Sequence, residues 1–145
     1  MQTITSFLQN QHQQFHAYSS LRVNLYLNSH DKNEATILLA ANKVNQLITK
    51  LVAKKYVSGA IWAIAFDDNK GVYIQTIFYL DDSQHDALAM MAIESLWSHL
   101  TQNVGLLIEL DVEPNVMDVL TSELSTHLLQ GHIKENVHYG SIGGV

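Results

Sequence analysis

The chain has no cysteine, a single proline and a single arginine in 145 residues. The lack of cysteine excludes disulfides, thiolate zinc sites and cysteine nucleophiles, and a reducing cytoplasm is the compartment it fits. With Pro114 the only proline and no glycine-rich or serine-rich stretch before the end, there is no linker signal. Charged residues make up 15% of the chain, where about 25% is usual in soluble domains. At 47% hydrophobic, the chain has enough apolar surface to bury a core. No apolar run approaches the ~18 residues that cross a bilayer. The opening MQTITSFLQNQHQQFH has neither the basic nor the apolar region of a secretory leader. A cytoplasmic protein without membrane contact is expected.

Positive charge is scarcest of all. Arg22 and seven lysines face fourteen carboxylates, for a net charge of −6. Nucleic-acid binders draw most of their affinity from neutralising phosphates, so this balance disfavours an ordinary DNA-binding module.

The patterning is that of one domain over 1–145: a helical extension at 1–19, a core at 20–131 and a tail at 132–145. Ile4, Phe7, Leu8, Phe15 and Tyr18 have loose helical spacing. From Leu21 to Leu27 the chain alternates strictly, with Leu21, Val23, Leu25 and Leu27 on one face and Arg22, Asn24 and Tyr26 on the other. Asp31 with Glu34 has capping-box spacing and opens a helix whose stripe is Ile37, Ala41, Val44, Ile48, Leu51 and Val52. Ser58-Gly59 is expected to end it. Two β-prone runs, Ala60–Phe66 and Val72–Leu80, flank the turn cluster Asp67-Asp68-Asn69-Lys70-Gly71, which predicts a hairpin.

Ser83 and Asp86 predict a cap for a helix with a stripe of Leu88, Met91, Leu96 and Trp97, beside Ala87 and Ile93. A strand from Leu106 to Val112 follows, then a helix from Pro114 to Gln130 closed by Gly131. The tail from Lys134 reads as loop or a short edge strand.

The order β-α-β-β-α-β is that of an α+β, ferredoxin-like antiparallel sheet with helices on one face. Val23, Leu25, Trp62, Ile64, Phe66, Ile74 and Phe78 should meet those helices. The other face should present Arg22, Asn24, Tyr26, Ala63, Ala65, Tyr73, Gln75 and Tyr79, together with Glu109 and Asp111 from the fourth strand. The fold carries no function by itself.

Three segments, LRVNLYL, YVSGAIWAIAFDDNKGVYIQTIFYLDD and IESLWSHL, together resemble the filamentous-phage (inovirus) type of rolling-circle replication initiator, within the HUH endonuclease superfamily. The resemblance spans roughly Leu21 to Leu100. It implies a ferredoxin-like catalytic domain with a His-hydrophobic-His motif for a divalent metal, an acidic third ligand on the preceding strand, and a tyrosine nucleophile on a later helix. The metal would polarise the scissile phosphate and the tyrosine would become linked to the 5′ end.

Carried onto this chain, the His-x-His positions fall on Tyr73-Ile74-Gln75 and the acidic position on Ala65. The nucleophile helix falls on Leu120–Gln130, where His127 is the only ring. Gln75 could hold a hard cation through its amide oxygen, but Tyr73 is a poor neutral ligand and Ala65 has no donor. The resemblance therefore implies a scaffold whose catalytic positions are degenerate, with no metal and no cofactor.

Other candidates have simpler readings. His12 and His16 have metal-ligand spacing without a third ligand, and His132 and His138 flank a glycine in the tail. Turn and cap chemistry accounts for Asp67-Asp68 and Asp81-Asp82. Lys43, Lys50, Lys54 and Lys55 fit a solvated helix face as well as a phosphate track. Arg22, Asn24, Tyr26, Tyr73 and Tyr79 could form an open face for stacking bases, unless the last helix covers it.

The expectation is a non-enzymatic, initiator-like protein of a phage or mobile element that binds a protein partner with a basic surface. Inhibition of a host defence system by mimicry of DNA charge is one form of this. The acidic residues expected to carry it are Asp67, Asp68, Asp81, Asp82, Glu109, Asp111 and Glu113. The alternatives are a divergent metal-dependent single-stranded DNA endonuclease and a non-enzymatic single-strand binder.

Overall fold

The computed structural model describes residues 4–14, 19–31, 33–80, 86–110 and 137–143. Within them the order is α1 (Ile4–Gln14), β1 (Ser19–Tyr26), α2 (Glu34–Ala53), β2 (Gly59–Asp67), β3 (Gly71–Leu80), α3 (Asp86–Leu100), β4 (Leu106–Leu110) and β5 (Tyr139–Gly143). The sheet runs β4-β1-β3-β2-β5 with every neighbouring pair antiparallel. The first four strands have the ferredoxin-like arrangement, and the glycine-rich tail supplies a fifth at the β2 edge. The helix expected from Pro114 to Gln130 and the cap residue Ser83 lie outside the described residues.

Alternation in β1, β2 and β3 sends Val23, Leu25, Trp62, Ile64, Ile74 and Phe78 to one face. There they pack with Val44, Leu47, Ile48 and Leu51 of α2 and Ile93 and Trp97 of α3. Complete burial of each such side chain stabilises the fold by about 1.5–3 kcal/mol. The Trp97 indole N–H also donates to the Tyr26 carbonyl at 3.2 Å, pinning α3 to β1.

The β2–β3 hairpin follows from its turn chemistry. Asp67 Oδ1 accepts from the backbone N–H groups of Asn69 at 2.7 Å and Lys70 at 3.1 Å, so its carboxylate builds the turn. Gly71 has φ +83°, and a Cβ there would stand 1.9 Å from the Ser29 carbonyl oxygen. That oxygen accepts from Val72 N at 2.7 Å, so the β1–α2 loop crosses directly over the hairpin.

Three boundaries and faces differ from the expectation. The N-cap of α2 is Asn33, whose side chain accepts from Thr36 N at 2.8 Å; Asp31 lies before the helix and is exposed. The same helix stops at Ala53, ahead of Ser58-Gly59. Lys55 takes a left-handed conformation (φ 63°), with Tyr56 N bonding the Leu51 carbonyl and Lys55 N the Val52 carbonyl. This is the Schellman closure, made here without glycine.

On α3 the inward residues are Ala89, Ile93, Trp97 and Leu100, while Leu88 and Met91 are 55% and 66% exposed. Trp97, fixed by its bond to β1, sets the rotation of the helix. Residues one turn apart from it face inward, and Leu88 and Met91 fall on the outside.

Candidate functional site

The face turned away from α2 and α3 holds the residues the resemblance singles out, and the register sets them in rows. One row runs Leu106, Tyr26, Tyr73 and Ala65 across β4, β1, β3 and β2. The next runs Ile108, Asn24, Gln75, Ala63 and Tyr139, and a third runs Leu110, Arg22, Ile77, Ile61 and Ser141. Ala65, Tyr73 and Gln75 are thus neighbours, as the resemblance requires of the residues in those positions.

Their chemistry is that of packing. The Tyr73 ring stacks on Tyr26 with centroids 5.0 Å apart and planes 24° apart. Tyr26, Tyr73 and Ala65 are buried together, with Ile108 against them. Gln75 Nε2 donates to the Tyr73 hydroxyl at 3.3 Å. A divalent catalytic metal does not fit this set. Ala65 has no donor, Tyr73 brings a neutral phenol, and the Gln75 amide oxygen is the one hard donor among the three. Among the described residues no three His, Asp or Glu side chains come together in a group that could hold a metal.

The face is not open. Arg22, Asn24, Tyr26, Ala63, Ala65, Tyr73, Gln75 and Tyr79 are all buried. At the β2–β5 side the cover is α1. Phe7 packs edge-on against Tyr139 at 5.3 Å, Ser141 Oγ donates to Gln11 Oε1 at 3.0 Å, and His12 Nδ1 meets the Tyr79 hydroxyl at 2.5 Å. Burial pushes the Tyr79 phenol up and the His12 imidazole down. At neutral pH the bond therefore joins a neutral phenol and a neutral ring. His12 makes this bond through Nδ1; His16, with which it has metal-ligand spacing, lies outside the described residues, as does His132. His138 is buried, and its carbonyl accepts from Ile64 N at 2.7 Å. Tyrosines so enclosed do not offer a stacking platform to bases.

The acidic residues are dispersed. Asp68 is exposed at the hairpin turn, while Asp67 is half-buried and engaged in building that turn. Glu109 pairs with Val23, which places it on the α2–α3 side of the sheet. The expectation that it shares the Arg22 face is corrected by that register. Asp81, Asp82, Asp111 and Glu113 lie outside the described residues.

Two further carboxylates that the expected set omits, Asp31 and Glu34, are exposed, and Asp31 adjoins a residue that touches the turn. His30 Nε2 donates to the Asn69 carbonyl at 3.0 Å, which carries the start of α2 to the hairpin. Their sequence signal was masked by the capping-box spacing, since Asp31 in that role would have its carboxylate committed to the helix. Among the basic residues, Lys50 is exposed on α2 and Lys54 and Lys55 are exposed at its closure, and Lys70 Nζ sits 5.2 Å above the Tyr26 ring.

No family, curated protein or solved structure matches the chain. Among the described residues no helix is long and apolar enough to cross a membrane.

Proposed function

We infer that this is a non-catalytic, replication-initiator-like protein of a phage or mobile element that works by binding a protein partner with a basic surface. Inhibition of a host defence system through mimicry of DNA charge is the form that best suits a net charge of −6. The observation that carries the reading is the Tyr26–Tyr73 stack beside Ala65. Where the resemblance asks for a histidine and a carboxylate, an aromatic pair and a methyl group fill the space. A scaffold of this kind retains its surface as a means of action. The exposed carboxylate Asp68 at the hairpin turn and Asp31 beside His30, which touches that turn, would help to steer a basic partner.

Cross-linking in host lysate, followed by binding of the captured protein across a salt series, tests this. The expected result is a basic partner whose association slows as salt rises. Asp31→Lys together with Asp68→Lys should slow association and flatten the salt dependence, with stability within about 0.5 kcal/mol of the parent. Tight binding to single-stranded DNA at physiological salt, with no basic partner, would contradict it.

A further inference from the structure

β4 stands at an edge of the sheet, and among the described residues β1 is its one hydrogen-bonded neighbour. In an antiparallel ladder alternate residues turn their N–H and C=O groups away from the neighbour, so β4 directs a row of these groups outward. Edge strands are commonly blunted by lysine or proline. The β4 sequence LLIEL has neither, and Glu109 is its single charge. The opposite edge differs, since β5 carries Gly140 and a left-handed Gly143. Solvent reaches the β4 border, where Leu106 is 51% and Met91 66% exposed.

A groove of about 480 Å³ lies between the start of this strand and α3. Met91, Trp97, Leu106 and Leu107 make its walls apolar, and Glu94 is the one charged residue lining it. Glu109 stands two residues along β4 from Leu107, and its pairing with Val23 puts both on the α3 side of the sheet. Glu94 and Glu109 are both exposed. The border thus combines an outward backbone edge, an apolar groove and two carboxylates.

Charge selects the occupant. A second copy pairing strand to strand would bring two Glu109 and two Glu94 side chains into one seam, on chains that each carry −6. A basic strand would meet those carboxylates with opposite charge.

We propose that the β4 edge and the α3 groove dock an extended peptide segment in which apolar and basic residues alternate on one face. Its backbone completes the outer ladder of β4. Residues two apart on a strand share a face, so an apolar side chain opposite Leu107 enters the groove while a basic one opposite Glu109 pairs with it. The proposal rests on the partner-binding reading and names what the basic partner presents.

The full ¹⁵N-labelled chain is titrated with an end-blocked decapeptide, Thr-Lys-Val-Leu-Thr-Lys-Val-Leu-Thr-Lys, and the β4 amides are followed by ¹H–¹⁵N spectra and hydrogen exchange. Saturable movement of the β4 resonances is expected, with exchange slowed at alternate β4 residues. Two further peptides separate charge from backbone. Glutamate in place of every lysine should weaken binding about tenfold or more. Proline in place of both valines keeps the charge, removes ladder donors and should abolish binding. Glu109→Lys, at an exposed position, should weaken the lysine peptide and leave Tm unchanged. β4 resonances unmoved by the lysine peptide overturn the docking site, as does equal binding of the glutamate or proline peptide. A dimer of the chain alone with protected β4 amides assigns the edge to a second copy and overturns it too. A basic partner captured from lysate that binds Glu109→Lys as tightly as the parent overturns the site and leaves the partner-binding reading standing.

Discussion

Tyr73 lies flat against Tyr26 across the β1–β3 pairing, ring centroids 5.0 Å apart, and each is the other's direct partner in register. Offset-stacked pairs of this kind contribute about 0.5–1.5 kcal/mol beyond the area they bury. Ala65 fits beside them because a larger side chain would compete for the same space. The three residues thus read as a packing solution in the place where the resemblance expects a catalytic one.

Tyr73→Ala should therefore act on stability. The variant loses a buried ring and its stack, at a cost of about 3 kcal/mol by analogy with other aromatic truncations. Urea denaturation of parent and variant measures it. A change below about 1 kcal/mol, the scale of a surface substitution, would mean that the ring is not part of the core.

Backbone conformation makes a second pair of expectations. Gly71→Ala combines a left-handed φ with a Cβ 1.9 Å from the Ser29 oxygen, so the hairpin and the β1–α2 loop must separate. The expected loss is about 2 kcal/mol or more. Lys55→Gly acts in the other direction. It relieves a left-handed lysine at a Schellman closure and should raise stability by about 0.5 kcal/mol. Thermal unfolding of both variants checks the opposite signs.

Acidity should loosen the docking of α1. Burial holds the His12 pKa in the folded protein below its ordinary 6.5, so the folded state takes up this proton less readily than the unfolded chain. The stability contributed by the neutral ring is complete above that value and falls as pH drops below it. Unfolding midpoints at pH 7.5 and 5.5 should differ more for the parent than for His12→Gln. Equal pH dependence in the two proteins would show that the His12–Tyr79 contact does not report the docking.

Much of the fold was legible because apolar periodicity decides it. The alternation from Leu21 to Leu27 and the turn cluster at Asp67–Gly71 led directly to β1, β2 and β3. What was not legible has physical causes. Lys55 closes α2 in a conformation that usually calls for glycine, so the residue pattern points to Ser58-Gly59 instead. Asn33 and Asp31 are both good caps, and the local bond to Thr36 decides between them. The rotation of α3 depends on the long-range Trp97–Tyr26 bond, which no local pattern encodes.

The candidate site was legible as a set of neighbours and misread as a surface. Arg22, Asn24 and Gln75 alternate with apolar residues as solvent-facing positions do, yet tertiary packing encloses them. The face of Glu109 depends on the β1–β4 register, which local alternation does not encode.

The central proposal is that this chain is a replication-initiator-like protein without nicking chemistry. The most direct measurement incubates the purified protein with single-stranded DNA and magnesium or manganese, followed by a denaturing gel and intact mass. Uncut DNA and a protein of unchanged mass are predicted. A protein–DNA adduct, with Tyr139 as the first tyrosine to map, would contradict the account.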